Sequence, residues 1–192
     1  MLDAFRPFSP PRRSRLPSRP LGPRLFSLSS LFFLALCLVP SPSPAQQVGT
    51  ASGLPLPRYV SLKSDRVNLR EGPSKDHRTT WVFQRAGLPV EITAEFETWR
   101  KIRDSEGSEG WVLHSLLSGR RTALIAPWKK GEEFPLYEKP SDHSALRAKL
   151  QANVIAGVRR CDGTWCRLTG DGFDGYLQQA LLWGVYPDEK IE

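Results

Sequence analysis

The sequence predicts an all-β protein, because short apolar stretches alternate with turn residues over residues 58–192 and no helical pattern is present. The clearest predicted strands are Arg66–Arg70, Leu88–Thr93, Trp99–Arg103 and Trp111–Leu113. Around the second of these, Val90, Ile92 and Ala94 alternate with polar residues, which is the period of a strand with one buried face. No window of about 12 residues keeps the period of an amphipathic helix.

Turn residues mark the ends of these strands. Gly72 and Pro73 follow the first strand and predict the start of a long loop. The segments Glu95–Thr98 and Asp104–Gly110 separate the later strands. Leu116–Leu117, close behind Trp111, predicts a single 3₁₀ turn before the last strand of this half.

The second half of the region repeats the first at an offset of about 66 residues. The matching segments are Thr98–Ile102 with Thr164–Leu168, Gly110–Val112 with Gly175–Leu177, Leu116–Gly119 with Leu181–Gly184, and Leu69 and Pro73 with Leu136 and Pro140. A unit of about 60 residues is only marginally stable alone, so we expect the two units to pack together. The sequence therefore predicts a linker at 46–57, a first unit at 58–122 and a second unit at 123–192.

The first 45 residues have the pattern of a secretory signal peptide. Arginines and prolines up to Arg24 precede an apolar run, Leu25–Val39, and small residues and prolines follow in Pro40–Ala45. The alternative is an uncleaved membrane anchor, but the run of about 15 residues is shorter than the roughly 20 that a span needs. We expect cleavage after Ala45, a periplasmic or secreted protein, and no stable membrane insertion once the signal is removed.

The net charge of +7 is concentrated in this N-terminal segment. Six arginines and a single acidic residue lie in residues 1–45, so the rest of the chain is close to neutral. A near-neutral chain lacks the basic surface that nucleic acids require, and we expect no nucleic-acid partner. At 192 residues the chain is also too short for a (β/α)₈ barrel, which takes roughly 250.

Cys161 and Cys166 are the two cysteines outside the signal segment, and they flank Asp162-Gly163, a hairpin turn signal. Cysteines on either side of such a turn can face each other across two antiparallel strands. Because exported proteins meet an oxidising compartment, the sequence predicts a disulfide between them. Free thiols and redox or metal chemistry are the alternatives, although the spacing is not that of a C-x-x-C motif.

Three motifs of the first unit resemble the bacterial SH3-like (SH3b) family: Val67–Ser74 (VNLREGPS), Trp99–Ile102 and Gly110–Val112. The second unit matches less closely, since Phe134–Ser141 replaces the opening motif. The whole pattern resembles the exported tandem SH3-like proteins of alphaproteobacteria. The resemblance implies two small SH3-like β-barrels in tandem, and binding or targeting to the cell wall or to peptides.

The candidate ligand-binding residues come from one loop and from the tryptophans that the repeat does not explain. Trp81, Trp128 and Trp183 have no partner in the other unit, and aromatic side chains bind sugars or extended peptides by stacking. The first loop, Glu71–Thr80, adds Lys75, His77 and Arg78. The alternatives are that Trp128 and Trp183 seal the contact between the barrels and that the loop is merely solvated.

The sequence offers no catalytic residue, metal site or cofactor motif. Two of its three histidines directly follow an aspartate, in Asp76-His77 and Asp142-His143. Such pairs are more typical of solvated loops than of a catalytic dyad. We therefore expect a non-enzymatic binding module for peptidoglycan or for an envelope protein or peptide. The alternatives are a scaffolding protein without a ligand groove and an accessory to cell-wall hydrolysis.

Overall fold

The computed structural model describes residues 47–192, and the predicted signal peptide therefore lies outside the described residues. The regular structure of these residues is antiparallel β-sheet with single 3₁₀ turns at His114–Leu116 and Gln179–Leu181, which confirms the predicted all-β class. The first turn begins two residues before the predicted Leu116–Leu117. Over residues 47–192, no helix is long and apolar enough to cross a membrane.

The described chain begins with two short strands, β1 (Gln47–Val48) and β2 (Pro55–Leu56). The strands of the first barrel are β3 (Arg58–Leu62), β4 (Val67–Arg70), β5 (Thr79–Phe83), β6 (Pro89–Phe96), β7 (Trp99–Arg103), β8 (Glu109–Leu113) and β9 (Leu117–Ser118). They form a seven-stranded sheet in the order β5-β4-β8-β7-β6-β3-β9. In β4 the apolar Val67 and Leu69 point into the core while Asn68 is exposed, as the two-residue period requires. Ile92, Ile102 and Val112 from neighbouring strands complete that core.

The strands of the second barrel are β10 (Thr122–Ile125), β11 (Glu133–Tyr137), β12 (Leu146–Gln151), β13 (Ile155–Asp162), β14 (Trp165–Gly170), β15 (Phe173–Gln178), β16 (Leu182–Trp183) and β17 (Lys190–Ile191). They repeat the arrangement of the first barrel with the order β12-β11-β15-β14-β13-β10-β16, and β17 pairs with β13. Cys161 and Cys166 face each other in the β13–β14 hairpin and form the predicted disulfide. Both sulfur-bearing side chains are buried in the core of this barrel.

One glycine is required at the same place in both barrels. A Cβ on Gly110 would lie 2.6 Å from Leu69 Cγ and 2.8 Å from the carbonyl oxygen of Arg70. A Cβ on Gly175 would lie 2.6 Å from the carbonyl oxygen of Tyr137. Backbone oxygens cannot move aside, so both positions exclude a side chain. Gly110 packs against β4, and Gly175 packs against β11 in the same way. The two units are therefore equivalent here in structure as well as in sequence.

The residues predicted as a linker form a short hairpin that packs on the first barrel. Strand β1 (Gln47–Val48) pairs with β2 (Pro55–Leu56), and Leu56 is buried in the first core. The Glu95 side chain accepts hydrogen bonds from the backbone N–H groups of Ala51 (3.1 Å) and Ser52 (2.9 Å) and from the Ser52 hydroxyl (2.7 Å). The segment is therefore ordered, because one carboxylate accepts hydrogen bonds from several of its backbone and side-chain donors.

The two barrels meet along a contact that includes buried polar groups. Only Gly119, Arg120 and Arg121 separate β9 from β10. The Ser61 hydroxyl donates to the carbonyl of Arg120 (2.9 Å), and the Thr122 hydroxyl donates to the carbonyl of Gly87 (2.8 Å). These bonds satisfy groups that would otherwise be buried without partners. The packing agrees with the expectation that the two small units pack together.

An aromatic and ionic cluster completes this contact. The Tyr59 ring lies 5.4 Å from the Trp183 ring and 4.6 Å from the Tyr186 ring. The Tyr186 hydroxyl donates to Glu91 (2.9 Å), a buried carboxylate that also accepts from Arg103 Nε (2.9 Å). Burial, together with the charge of Glu91, raises the pKa of Tyr59 and of Tyr186. Tyr186 therefore stays protonated and remains a hydrogen-bond donor.

Candidate functional site

The first loop is held by the arginine of the opening motif. Arg70 Nη1 donates to the carbonyl oxygens of Lys75 (3.0 Å) and His77 (2.7 Å), so the side chain closes the loop onto β4. Within the loop, the Ser74 hydroxyl donates to Asp76 (2.9 Å). The loop is thus an ordered element with its own hydrogen bonds, and Lys75, His77 and Arg78 are exposed on it.

Two of the three candidate residues in this loop are engaged inside it. The His77 ring covers Gly72, where a Cβ would lie 2.3 Å from Nε2. Arg78 forms an ion pair with Glu71, and this hydrogen bond lowers the pKa of the Glu71 carboxyl and raises that of Arg78. Lys75 alone faces a groove of about 280 Å³, which it shares with Arg66, Asn68, Arg70, Trp99, Leu113 and Leu116.

Trp81 opens onto a different groove, which we call the edge groove. It has a volume of about 530 Å³ and is lined by Trp81–Arg85, Leu88, Asp104–Glu106, Ser108, Leu124 and Asn153. The Trp81 side chain is 60% exposed, although it stands in the middle of β5. Two of its lining residues join the barrels, since Arg85 Nη2 donates to the carbonyl of Asn153 in the second barrel (3.2 Å).

Trp128 and Trp183 lie together in a third groove, which we call the tryptophan groove. Its volume is about 750 Å³, and its lining is Tyr59, Trp128, Gly163, Thr164, Gln178–Ala180, Leu182, Trp183, Val185, Pro187 and Asp188. Trp128 stands in the turn between β10 and β11 and is 55% exposed. Trp183 lies in β16 and is held edge-on against Tyr59 of the first barrel. Both barrels therefore contribute to this groove.

The floor of the tryptophan groove is fixed by a buried amide. Gln179 donates through Nε2 to the carbonyl oxygens of Tyr186 (2.7 Å) and Glu189 (3.1 Å). Arg121 binds the Glu189 carboxylate through both of its terminal nitrogens (2.7 and 2.9 Å). Burial raises the pKa of Glu189, but the hydrogen bonds from Arg121 and the Tyr186 backbone outweigh it and lower the pKa overall. The C-terminal segment that forms one wall is therefore rigidly attached.

The structure divides the six candidate residues among three places. It brings Trp128 and Trp183 together, and it separates Lys75, His77 and Arg78 from Trp81. Sequence analysis did not select Tyr59, Gln179 or Asp188, which also line the tryptophan groove. Tyr59 precedes the first motif, and its role depends on a contact with the other barrel. Gln179 directly follows β15 in the second, less closely matching unit. The signal that could have found it is a polar residue at a position that folding buries.

Histidine, cysteine and carboxylate side chains are the groups that could carry catalytic or metal chemistry. Over residues 47–192, no three His, Cys, Asp or Glu side chains are grouped as a metal site would require. His143 is 95% exposed beside Asp142, and Cys161 and Cys166 are joined in the disulfide. What these grooves offer is aromatic surface with hydroxyl, amide and carboxylate groups around it, which is suited to binding.

Comparison with known proteins agrees with this architecture. A sequence profile described as bacterial SH3 domain matches residues 63–119 and again residues 130–184, which together are more than half of the chain. A search of curated protein sequences finds no significant match.

Several solved structures are similar to this chain at low scores. NlpC2 and NlpC1 of Trichomonas vaginalis each share 17% identity at a TM-score of 0.30, over 66% and 70% of this chain and 48% of theirs. An NlpC/P60 family protein of Bacillus cereus shares 12% identity at a TM-score of 0.29, over 65% of this chain and 55% of its own. The chain thus spans about half the length of these proteins. On the strength of the two profile matches, the chain belongs to the bacterial SH3 domain family and contains two copies of that domain.

Proposed function

We propose that this protein is an exported, non-catalytic binding module that attaches to the cell envelope by binding the glycan strands of peptidoglycan. The observation that carries the proposal is the tryptophan groove, where Trp128 is 55% exposed beside Trp183 and Tyr59. An indole that folding leaves in water is a surface on which a ligand can stack. Binding modules of this family commonly act at the cell wall, and the predicted signal peptide would bring the chain there.

The polar groups around the aromatic rings favour a sugar. Thr164, Gln178 and Asp188 line the same groove and offer a hydroxyl, an amide and a carboxylate. Sugar rings present an apolar face for stacking and hydroxyl groups at their edge for hydrogen bonds, so this mixture suits them. A groove with one carboxylate and no lining Lys or Arg is also a poor match for a polyanion.

A scaffolding role is the second candidate, and the contact between the barrels favours it. Tyr59, Tyr186 and Glu91 join the two barrels through buried rings and hydrogen bonds. This contact gives the second barrel a structural role whether or not its groove is occupied. Binding measurements therefore decide between the two functions.

The test is sedimentation of the exported protein, expressed from the full-length sequence with its own N-terminal segment, with protein-free peptidoglycan sacculi. We expect saturable binding, no hydrolysis of the sacculi, and an N-terminus at Gln46. Trp128→Ala should weaken binding tenfold or more, because removing a stacked aromatic ring at a binding centre costs about 2 kcal/mol.

The matched control is Phe96→Ala, which removes an aromatic ring of similar exposure (49%) that lies outside the tryptophan groove. Phe96→Ala should bind sacculi as the unchanged protein does. Equal binding by all three proteins would place any sugar site elsewhere. A complete lack of binding would favour the scaffolding role.

A further inference from the structure

The outer edge of strand β5 is an open sheet edge inside the edge groove. β5 (Thr79–Phe83) is the last strand of its sheet and pairs only with β4 among the described strands. A terminal strand leaves backbone N–H and C=O groups on its outer side without a partner strand. Such groups are the natural partners of another extended backbone.

The edge of the second barrel at the equivalent position is protected, whereas β5 is not. β12 (Leu146–Gln151) is the terminal strand there and carries Arg147 and Lys149. At the repeat offset, these charges stand where β5 has Thr80 and Val82. Charged residues on an edge strand prevent pairing with other chains, and β5 has neither a charge nor a proline. The duplication thus produced one blocked edge and one open edge.

The open edge also carries an aromatic anchor, and the groove around it is acidic. Trp81, in the middle of β5, is 60% exposed. Asp104 and Glu106 line the same groove, and Glu106 is exposed with no ion pair to it among the described residues. Arg85 is the basic residue of the lining, and it keeps its charge while it donates to the Asn153 carbonyl. Two carboxylates against one guanidinium give the groove a negative balance, which favours a basic ligand.

We propose that β5 binds an extended, basic segment of a partner protein by strand addition, with Trp81 as the side-chain anchor. Main-chain hydrogen bonds would supply affinity, and Trp81 and Glu106 would select side chains on the added strand. A regular antiparallel ladder requires consecutive L-residues, because residues of the opposite hand do not share the β region of backbone space. The edge groove shares no lining residue with the tryptophan groove proposed for sugar, so the two sites are distinct.

The experiment measures fluorescence anisotropy of a labelled, end-blocked octapeptide of alternating valine and lysine with the full-length protein. One peptide is all-L, and a second has the same composition with alternating L- and D-residues. We expect saturable binding of the all-L peptide, at least tenfold weaker binding of the mixed peptide, and binding unchanged by Leu146→Lys on the second edge.

Val82→Lys, which copies the protected edge, and Trp81→Ala should each weaken binding of the all-L peptide at least tenfold. Thermal unfolding checks that both variants are folded. If Val82→Lys fails to fold, Trp81→Ala remains as the test, because the Trp81 side chain is exposed. Equal binding of the two peptides, no binding of either, or full binding by the folded variants would overturn the proposal. So would a dimer of the protein alone that Trp81→Ala or Val82→Lys converts to monomer, since a second copy would then occupy the edge.

Discussion

Replacing Arg103 with methionine is expected to destabilise the protein by about 3 kcal/mol, because it leaves the buried Glu91 carboxylate with too few donors. The cost lies at the lower end for a broken buried ion pair, because the Arg103 side chain is itself 44% exposed. The Glu91 side chain is only 3% exposed, and its oxygens accept from Arg103 and from the Tyr186 hydroxyl. Without the guanidinium, one neutral hydroxyl would have to stabilise the carboxylate. The free energy of unfolding in urea measures the loss.

The matched control lies on the same strand. Lys101 pairs with Glu109 (2.6 Å), but both side chains are 37% exposed. Water replaces such a partner readily, so Lys101→Met should cost less than about 1 kcal/mol. Adding Glu91→Met to Arg103→Met should recover part of the loss, since an apolar pair leaves no buried charge. Similar losses for Arg103→Met and Lys101→Met would show that burial of Glu91 does not govern this contact.

Replacing Glu95 with glutamine is expected to cost about 2 kcal/mol at neutral pH, because hydrogen bonds to a charged group are replaced by weaker ones or lost. The Glu95 carboxylate accepts from Arg58 (2.6 Å) and Ser52 (2.7 Å) and lies 3.3 Å from Arg100 Nε. Burial raises the pKa of this carboxyl, but the hydrogen bonds from Ser52, Arg58 and the backbone outweigh it. The result is a pKa lowered from 4.5 to about 2.

The pH dependence follows from this direction. A carboxyl whose folded pKa is depressed stabilises the fold above its unfolded pKa and loses that contribution as the pH falls through the folded value. The difference in stability between the unchanged protein and Glu95→Gln should therefore be full above about pH 4.5 and shrink towards pH 2. Glu97→Gln, two residues away and exposed, is the control and should show no such difference. A difference independent of pH would contradict the account.

The sheet architecture was predictable because its signals are local. Alternation around Val90 and the turn at Asp162-Gly163 specify strands and a hairpin, and the repeat doubles every such signal. The disulfide followed from the same hairpin, since its cysteines flank the turn. The segment 46–57 was predicted as a linker because it is rich in small residues, glycine and proline. Its order depends on Glu95, some 40 residues away in sequence. Composition carries no information about a contact of that kind.

The candidate sites were predictable only as a set of residues. Trp81, Trp128 and Trp183 were selected because the repeat does not require them. Their division between two grooves depends on strand direction and on how the barrels pack. Lys75 and Trp81 are close in sequence, but the loop's own hydrogen bonds and the turn into β5 lead them to different grooves. Tyr59 joins Trp183 only across the contact between barrels.

The central claim is that the tryptophan groove binds glycan, and the indole N–H signals in ¹H–¹⁵N spectra test it most directly. The chain has six tryptophans, all of them within the described residues, and each of the three grooves has at least one of them in its lining. One titration with soluble peptidoglycan fragments therefore shows which groove the fragments occupy. We predict saturable shifts of the Trp128 and Trp183 signals, while the buried Trp99 and the edge-groove Trp81 stay unchanged. Fragments that bind without moving Trp128 and Trp183, or that move no indole signal, would contradict the account.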